Sequence, residues 1–508
     1  MKTRFFNKAL LVLVAFVLAG CTASRVSETS GGKVKEENGR TVREFTLTAK
    51  TAKHELKSGL KIDAWTFNGS VPGPQLRVNQ GDRLRITLKN NLPESVSIHW
   101  HGMRVPNEMD GIPGVTQDAV QPGKSFVYDF VALDSGTYWY HSHQNGVEQV
   151  DKGLYGSIAV MPKVQTVKFD RDYTLVLDEW MAETSKGGGN NPQANMGGMS
   201  GMSGMGSAQG SNPEAAMMTM YNVFTINGKS APAVPTLEVR KGERVKLRLV
   251  NAGYQTHLIH LHGHSFKVTE TDGQPFKDPT VLKDTLVAVA PGERYDLEFT
   301  AENPGKWYLE SHDEDPVAAG MKVEIAYADA MNAAADATPV GGALPVFDLT
   351  RYGSPGPKAY TANTRYDVTY TMELGARMAP GNAMKMEFTI NGKAYPDTEN
   401  VKVKKVDKVK VRFVNTSEFD HPMHLHGHFF QVLSRNGQPV SGTSVMKDTL
   451  NVRPGEEYEV AFLADAPGDW MFHCHDLHHA SAGMVTRVIY DGFVRSFTPD
   501  PKAGNKPE

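Results

Sequence analysis

The chain has 508 residues, room for about three domains of ordinary size. Hydrophobic residues make up 40% of it, which supplies folded cores and excludes a disordered chain. The net charge of −3 excludes the basic excess of a nucleic-acid binder, so no nucleic-acid partner is expected.

Residues 1–20 read as a processing signal. Lys2, Arg4 and Lys8 form a basic start, Ala9 to Val17 form an apolar run, and Leu18-Ala19-Gly20 precede Cys21. The run is too short to span a bilayer. The pattern resembles a bacterial lipoprotein signal, in which Cys21 becomes the lipidated first residue; a plain secretory signal is the alternative. The expected product is exported and anchored through Cys21 to a bacterial membrane, facing the periplasm or the cell exterior. Residues 21–40 read as a polar tether. With Cys21 lipidated, Cys474 is the sole remaining thiol, so no internal disulfide is expected.

The rest of the chain repeats itself three times. GDRLRITLKN from Gly81, GERVKLRLVN from Gly242 and VDKVKVRFVN from Val406 each alternate apolar and charged residues, the period of a half-buried strand. A Pro-Gly turn follows each, at Pro122, Pro291 and Pro454. Then come GTYWYHSH from Gly136, GKWYLESH from Gly305 and GDWMFHCH from Gly468. Three all-β units with closely spaced turns predict β-sandwiches at 41–163, 164–330 and 366–495. An Ala/Pro/Gly-rich linker occupies 331–365, and residues 496–508 read as a tail.

Four His-x-His pairs stand at matching places: His99/His101, His141/His143, His424/His426 and His473/His475. Side chains two apart on a strand share a face, so each pair is a two-pronged ligand. Imidazole suits copper, iron and zinc alike, and the histidines by themselves leave the metal open. The string HCHDLHHASAGM from His473 narrows the choice. Cys474 points away from its flanking histidines, His479 and Met484 follow, and His421 opens HPMHLHGH upstream. One thiolate, two imidazoles and a thioether match the ligand set of a blue-copper site.

These motifs, with HWHG at 99–102 and WYHSH at 139–143, resemble those of the multicopper oxidases, a family that includes laccases and bacterial copper-resistance oxidases. The resemblance implies three consecutive cupredoxin-like Greek-key β-sandwich domains and four copper ions per chain. It implies a mononuclear type 1 copper on His421, Cys474, His479 and Met484, and a type 2 copper on His99 and His424. Two type 3 coppers would fall to His101, His141, His143, His426, His473 and His475. The first and last domains must then pack together. Cys474 would pass electrons to His473 and His475, and Asp110 would deliver protons near the type 2 copper; a turn residue before Gly111 is the plainer reading of that aspartate. Ala480 stands where some family members carry a glutamate, so a second proton path is not expected there.

In the middle repeat, Ser311 fills the cysteine slot, Glu310 replaces the first histidine of HCH, and Pro316 falls where His479 falls. Ser142 fills the same slot in the first repeat. The middle domain reads as a spacer derived from a copper domain, and His257, His260, His262 and His312 as structural remnants. His428 and His478 read as supporting residues. A Met-rich insert spans 190–220, where seven of the 22 methionines fall between 196 and 220. Thioethers favour Cu(I), so capture of cuprous ions is the functional reading and a flexible linker the plain one. Met372, Met378, Met384 and Met386 are candidates for the same surface.

The expected activity is one-electron oxidation of four substrate equivalents, Cu(I) or phenols, coupled to reduction of O2 to water, with a role in copper tolerance. A copper storage or delivery protein without turnover is the alternative. The oligomeric state is left open, with a monomer favoured.

Overall fold

The three repeated runs become the strands Arg83–Asn90, Arg244–Asn251 and Lys408–Asn415 of a computed structural model that describes residues 32–182, 220–313, 316–330 and 343–508. The signal, Cys21, the start of the tether, the Met-rich insert up to residue 219 and residues 331–342 lie outside the described residues. In the first and third runs alternation is kept: Leu84, Ile86 and Leu88, and Val409, Val411 and Phe413, are buried while their neighbours reach the surface. The middle run is buried on both faces. Lys246 and Arg248, which alternation assigns to solvent, are 5% and 3% exposed. The first sandwich reaches Arg248, whose Nη1 donates to Thr137 Oγ1 at 2.8 Å while its Nε donates to Asp172 Oδ1 at 2.7 Å; Lys246 is held within its own unit by Glu270 and Asp296.

The fold is all-β, and the sheets fall into three successive pairs. One sheet of each pair carries the histidine strings, and its strand order recurs. In the third pair it runs Val401–Val403, Val485–Tyr490, Asp469–Cys474, His421–Leu425 and Thr449–Val452. In the middle pair the equivalents are Leu237–Val239, Lys322–Tyr327, Lys306–Ser311, His257–Leu261 and Val287–Val289. The first pair keeps four: Gly73–Asn79, Tyr155–Met161, Gly136–His141 and His99–His101. The histidine-bearing strands are therefore neighbours in every repeat, although they are distant in sequence.

Apolar side chains fill the space between paired sheets. Leu247, Val268, Val411, Phe413 and Val432 belong to one core that runs through the middle and third units, whereas Leu84, Ile86, Trp100 and Tyr140 belong to a core in the first. Truncating a residue such as Phe413 to alanine should cost about 3–5 kcal/mol. A further cluster containing Trp139, Trp180, Tyr254 and Leu477 lies where all three units meet.

Candidate metal centres

Strand register brings the ligand strings face to face. His99 pairs with His141 and His101 with Trp139, while His424 pairs with His473 and Met423 with Cys474. Alternation then sends His473 and His475 to one face and Cys474 to the other.

On the Cys474 face, Sγ lies 3.8 Å from His421 Nδ1 and 3.6 Å from His479 Nδ1, and the two Nδ1 atoms are 3.2 Å apart. Met484 is fully buried, and its carbonyl accepts the Cys474 N–H at 3.0 Å. His479 rides on the short helix Leu477–Ser481, whose N-cap Asp476 accepts from the His478 and His479 N–H groups. Phe388 stacks on the His479 ring with centroids 3.8 Å apart. Burial pushes the His479 imidazole down to about 3 and His421 well below its ordinary value. Both rings are thus neutral, the form that binds metal.

The other face gathers eight imidazoles. Three groups, the first two sharing His101, have ligand atoms within 4.8 Å of one another: His99, His101 and His424; His101, His141 and His475; and His143, His426 and His473. His99 stacks on His426 at 3.9 Å and His101 on His424 at 3.8 Å, so the first and third units meet at this cluster. Several rings are anchored at the back. His99 Nδ1 donates to the Asp110 carbonyl at 2.9 Å, His424 Nδ1 to the Asp448 carbonyl at 3.0 Å, and His141 Nδ1 to the Ser142 carbonyl at 2.9 Å. Their Nε2 atoms are buried without a partner among the described residues, as are both ring nitrogens of His475. Buried polar atoms are rarely left so. A cluster of buried imidazole nitrogens, several without partners among the described residues, on one side and a thiol with two imidazoles on the other is a donor set that fits copper.

Charged residues brace the cluster. Asp110 is buried, with Oδ2 2.9 Å from His426 Nδ1 and Oδ1 3.3 Å from His99 Nδ1. It also closes a turn, since Gly111 has φ +81° and a Cβ there would strike the Ile98 carbonyl. The turn reading of Asp110 is thus met, and its carboxyl also lies beside two cluster histidines. Thr449 Oγ1 is 3.0 Å from His101 Nε2 and 3.0 Å from His424 Nδ1. Behind it, Asp448 pairs with Arg294 of the middle unit. Burial would raise the Asp448 carboxyl, but the Arg294 guanidinium holds it well below the usual carboxylate range.

Glu508 enters the same cluster and had no local signal in the sequence. Its Oε1 lies 2.9 Å from His143 Nε2 and 3.8 Å from His473 Nδ1. The segment before it is tied down: Asn145 N–H donates to the Lys506 carbonyl at 2.8 Å, and Gln144 Nε2 to the Gly504 carbonyl at 2.8 Å. Burial would lower the His143 imidazole, but the Glu508 carboxylate and the Pro507 carbonyl raise it on balance.

His428 and His478 stay outside both centres. His428 bridges its neighbour's carbonyl and Tyr490 Oη, the latter at 2.7 Å, and His478 Nε2 lies 3.0 Å from Tyr221 Oη. The serines in the cysteine slot are used locally: Ser142 Oγ donates to Gln149 Oε1 at 2.7 Å, and Ser311 Oγ accepts the Asp313 N–H at 3.2 Å.

The middle-unit histidines divide. His257 lies between Asp313 Oδ2 at 2.9 Å and Glu179 Oε2 at 3.1 Å. Burial would lower it, but the two carboxylates raise it to about 9, so it is a cation bound in an ion triad. His260, His262 and His312 instead converge on one another. The methionines also divide. Met372 is fully buried in the core and cannot join a surface patch, because it occupies an inward position of Val368–Ala379. Met378 and Met386 pair across neighbouring strands, with Met378 40% exposed.

Sequence models described as multicopper oxidase match residues 48–165, and 207–330 together with 365–492. The chain is 31% identical to multicopper oxidase MmcO of Mycobacterium tuberculosis, over 96% of this chain and 97% of that protein. It is 26% identical to copper resistance protein A of Escherichia coli, over 85% and 90% of the two chains. The crystal structure of a multi-copper oxidase from Pseudomonas parafulva superposes with a TM-score of 0.67 at 28% identity, covering 88% of this chain and 100% of that one.

Proposed function

From the premise that this chain belongs to the multicopper oxidase family, and is a copper-dependent oxidoreductase that uses O2, we propose that it oxidises Cu(I), with phenols as a second class of reductant, four one-electron equivalents per O2. His421, Cys474, His479 and Met484 hold the mononuclear copper. His99 and His424 hold the type 2 ion, while His101, His141 and His475 hold one type 3 ion and His143, His426 and His473 the other. Bound copper supplies one-electron oxidation at the thiolate site and four-electron reduction of O2 to water at the histidine cluster.

The observation that carries this reading is the alternation at His473-Cys474-His475: one residue bonded on both sides to ligands of the opposite face. Cys474 thereby links the two centres through a few covalent bonds. Phe388 shields His479 from water, and the Asp110 carboxyl oxygens face the rings of His99 and His426, where a relayed proton would be delivered. The Cu(I) preference is supported by the Met-rich sequence at 190–220 and by likeness to a protein named for copper resistance. A role in copper tolerance and export with a lipid on Cys21 complete the proposal; the lipobox-like Leu18-Ala19-Gly20-Cys21 supports the latter.

Metal analysis of loaded protein should give about four coppers, the count that the family ligand sets imply, and turnover on Cu(I) should exceed turnover on a phenol. Deleting residues 194–216 should lower the Cu(I) rate and spare the phenol rate. One copper per chain overturns the centre assignment, and equal loss of both rates overturns the Cu(I) reading.

A further inference from the structure

The middle unit repeats the register of the third with altered residues. His260 pairs with Glu310 as His424 pairs with His473. Ser311 takes the place of Cys474, and His312 that of His475. Three histidines converge and Glu310 borders them: His262 Nε2 lies 3.1 Å from His312 Nε2 and 2.9 Å from Glu310 Oε1, and His260 Nδ1 lies 3.3 Å from His312 Nε2. His312 Nε2 and Glu310 Oε1 are 3.9 Å apart.

Hydrogen bonding accounts for the His262–Glu310 pair but not for the three imidazoles together. An imidazole nitrogen carries either one proton or one in-plane lone pair, so His312 Nε2 satisfies one of its two histidine neighbours, not both. His260 is fully buried, and the nitrogen it turns toward the group is Nδ1. The spacing has a simpler origin. Ligands at about 2.0–2.1 Å from a tetrahedral ion stand about 3.3 Å from each other. The observed separations, 2.9–3.9 Å, bracket that value.

We propose that His260, His262, His312 and Glu310 form a separate site for an imidazole-seeking divalent first-row cation, Zn2+ or Cu2+. The site opens to solvent. The side chains of His312, Glu310 and His262 are 29%, 20% and 9% exposed, which provides an entry path for an ion. Lys322 Nζ holds Glu310 Oε2 at 2.6 Å and leaves Oε1 facing the histidines. With serine in the cysteine slot there is no thiolate, so an ion here has no covalent electron path and stands apart from the oxidase centres.

Zinc tests the site because elemental analysis separates it from resident copper. Enzyme loaded with copper, cleared by a chelator to its four resident ions, then equilibrated with Zn2+ and desalted should retain about one zinc per chain, as one four-ligand site requires. His260→Ala should lose it. His312→Gln, at the most exposed ligand, should weaken zinc at least about tenfold in competition with a chelator, the scale on which a donor's loss is felt. Blue absorption and oxygen consumption should match the parent in both variants. No retained zinc in the parent, or equal retention in parent and His312→Gln, overturns the proposal.

Discussion

Arg294 Nη1 and Nη2 stand 2.7 and 2.6 Å from the two carboxylate oxygens of Asp448, a two-pronged ion pair with both partners buried. The arginine belongs to the middle unit and the aspartate to the third. The Asp448 carbonyl receives His424 Nδ1, and Gly102 of the first unit leaves room for the guanidinium, which a Cβ there would strike. The middle unit therefore positions the ligands of a centre to which it contributes none. Arg294→Met should destabilise the fold by about 3–5 kcal/mol, because Asp448 is left charged and unpaired. Copper affinity at the histidine cluster should fall by about 10–100-fold, the usual effect of losing a ligand's support. Thermal unfolding and metal analysis read both effects; unchanged copper content in the variant would show that the pair leaves the cluster unaffected.

Cys474→Ser should abolish the intense visible absorption and nearly all oxidase turnover, since serine cannot supply a thiolate. The sandwich should survive, as serine already stands in this slot at Ser142 and Ser311. There the hydroxyl has partners; at 474 an unpaired one should cost about 1–3 kcal/mol. Absorption and circular dichroism on the same sample decide the matter. A variant that stayed blue would require another thiolate, and the described residues contain one cysteine.

Asp110→Asn should slow reoxidation of the reduced enzyme by O2 on the order of 10²-fold, the contribution of a placed proton donor. The amide keeps the contacts to His99 and His426 in shape but cannot take up and pass on a proton. Reduction by substrate, which takes place at the Cys474 face, should change little. Stopped-flow measurement of the two half-reactions separates them. An unaltered reoxidation rate would leave Asp110 with its turn alone.

The all-β repeat and the gathering of histidines were legible because both follow from strand period. Residues two apart share a face whatever the tertiary structure, so His99/His101 or His473/His475 declare themselves. Features made by contact between units were not. Arg294 and Asp448 are 154 residues apart and lie in strings that read as ordinary strand ends. Glu508 sits in a short polar segment that resembles many tails. Alternation also misplaced Lys246 and Arg248, because it assumes one wet face, whereas Arg248 meets Thr137 of the first sandwich and Lys246 is paired with Glu270 and Asp296. Met372 shows the converse: composition suggested a sulfur surface, and strand phase turned the side chain inward.

His257 supplies a pH test. Its ring is fully buried between Asp313 and Glu179, and its pKa lies at about 9 against about 6.5 for a free histidine. A raised folded pKa means that the charged triad stabilises the protein fully below pH 6.5, about the unfolded value, and loses this contribution as pH climbs through about 9. The full effect is roughly 3 kcal/mol. His257→Gln, which cannot be protonated, should therefore be less stable than the parent by most at pH 6, and the gap should close by pH 10. Thermal midpoints of the two proteins across that range give the gap directly. A constant gap would mean that His257 is neutral, and with it would go the reason it stays out of any metal site: a protonated imidazole has no lone pair to offer, whereas its counterpart His421, held neutral by burial, has one.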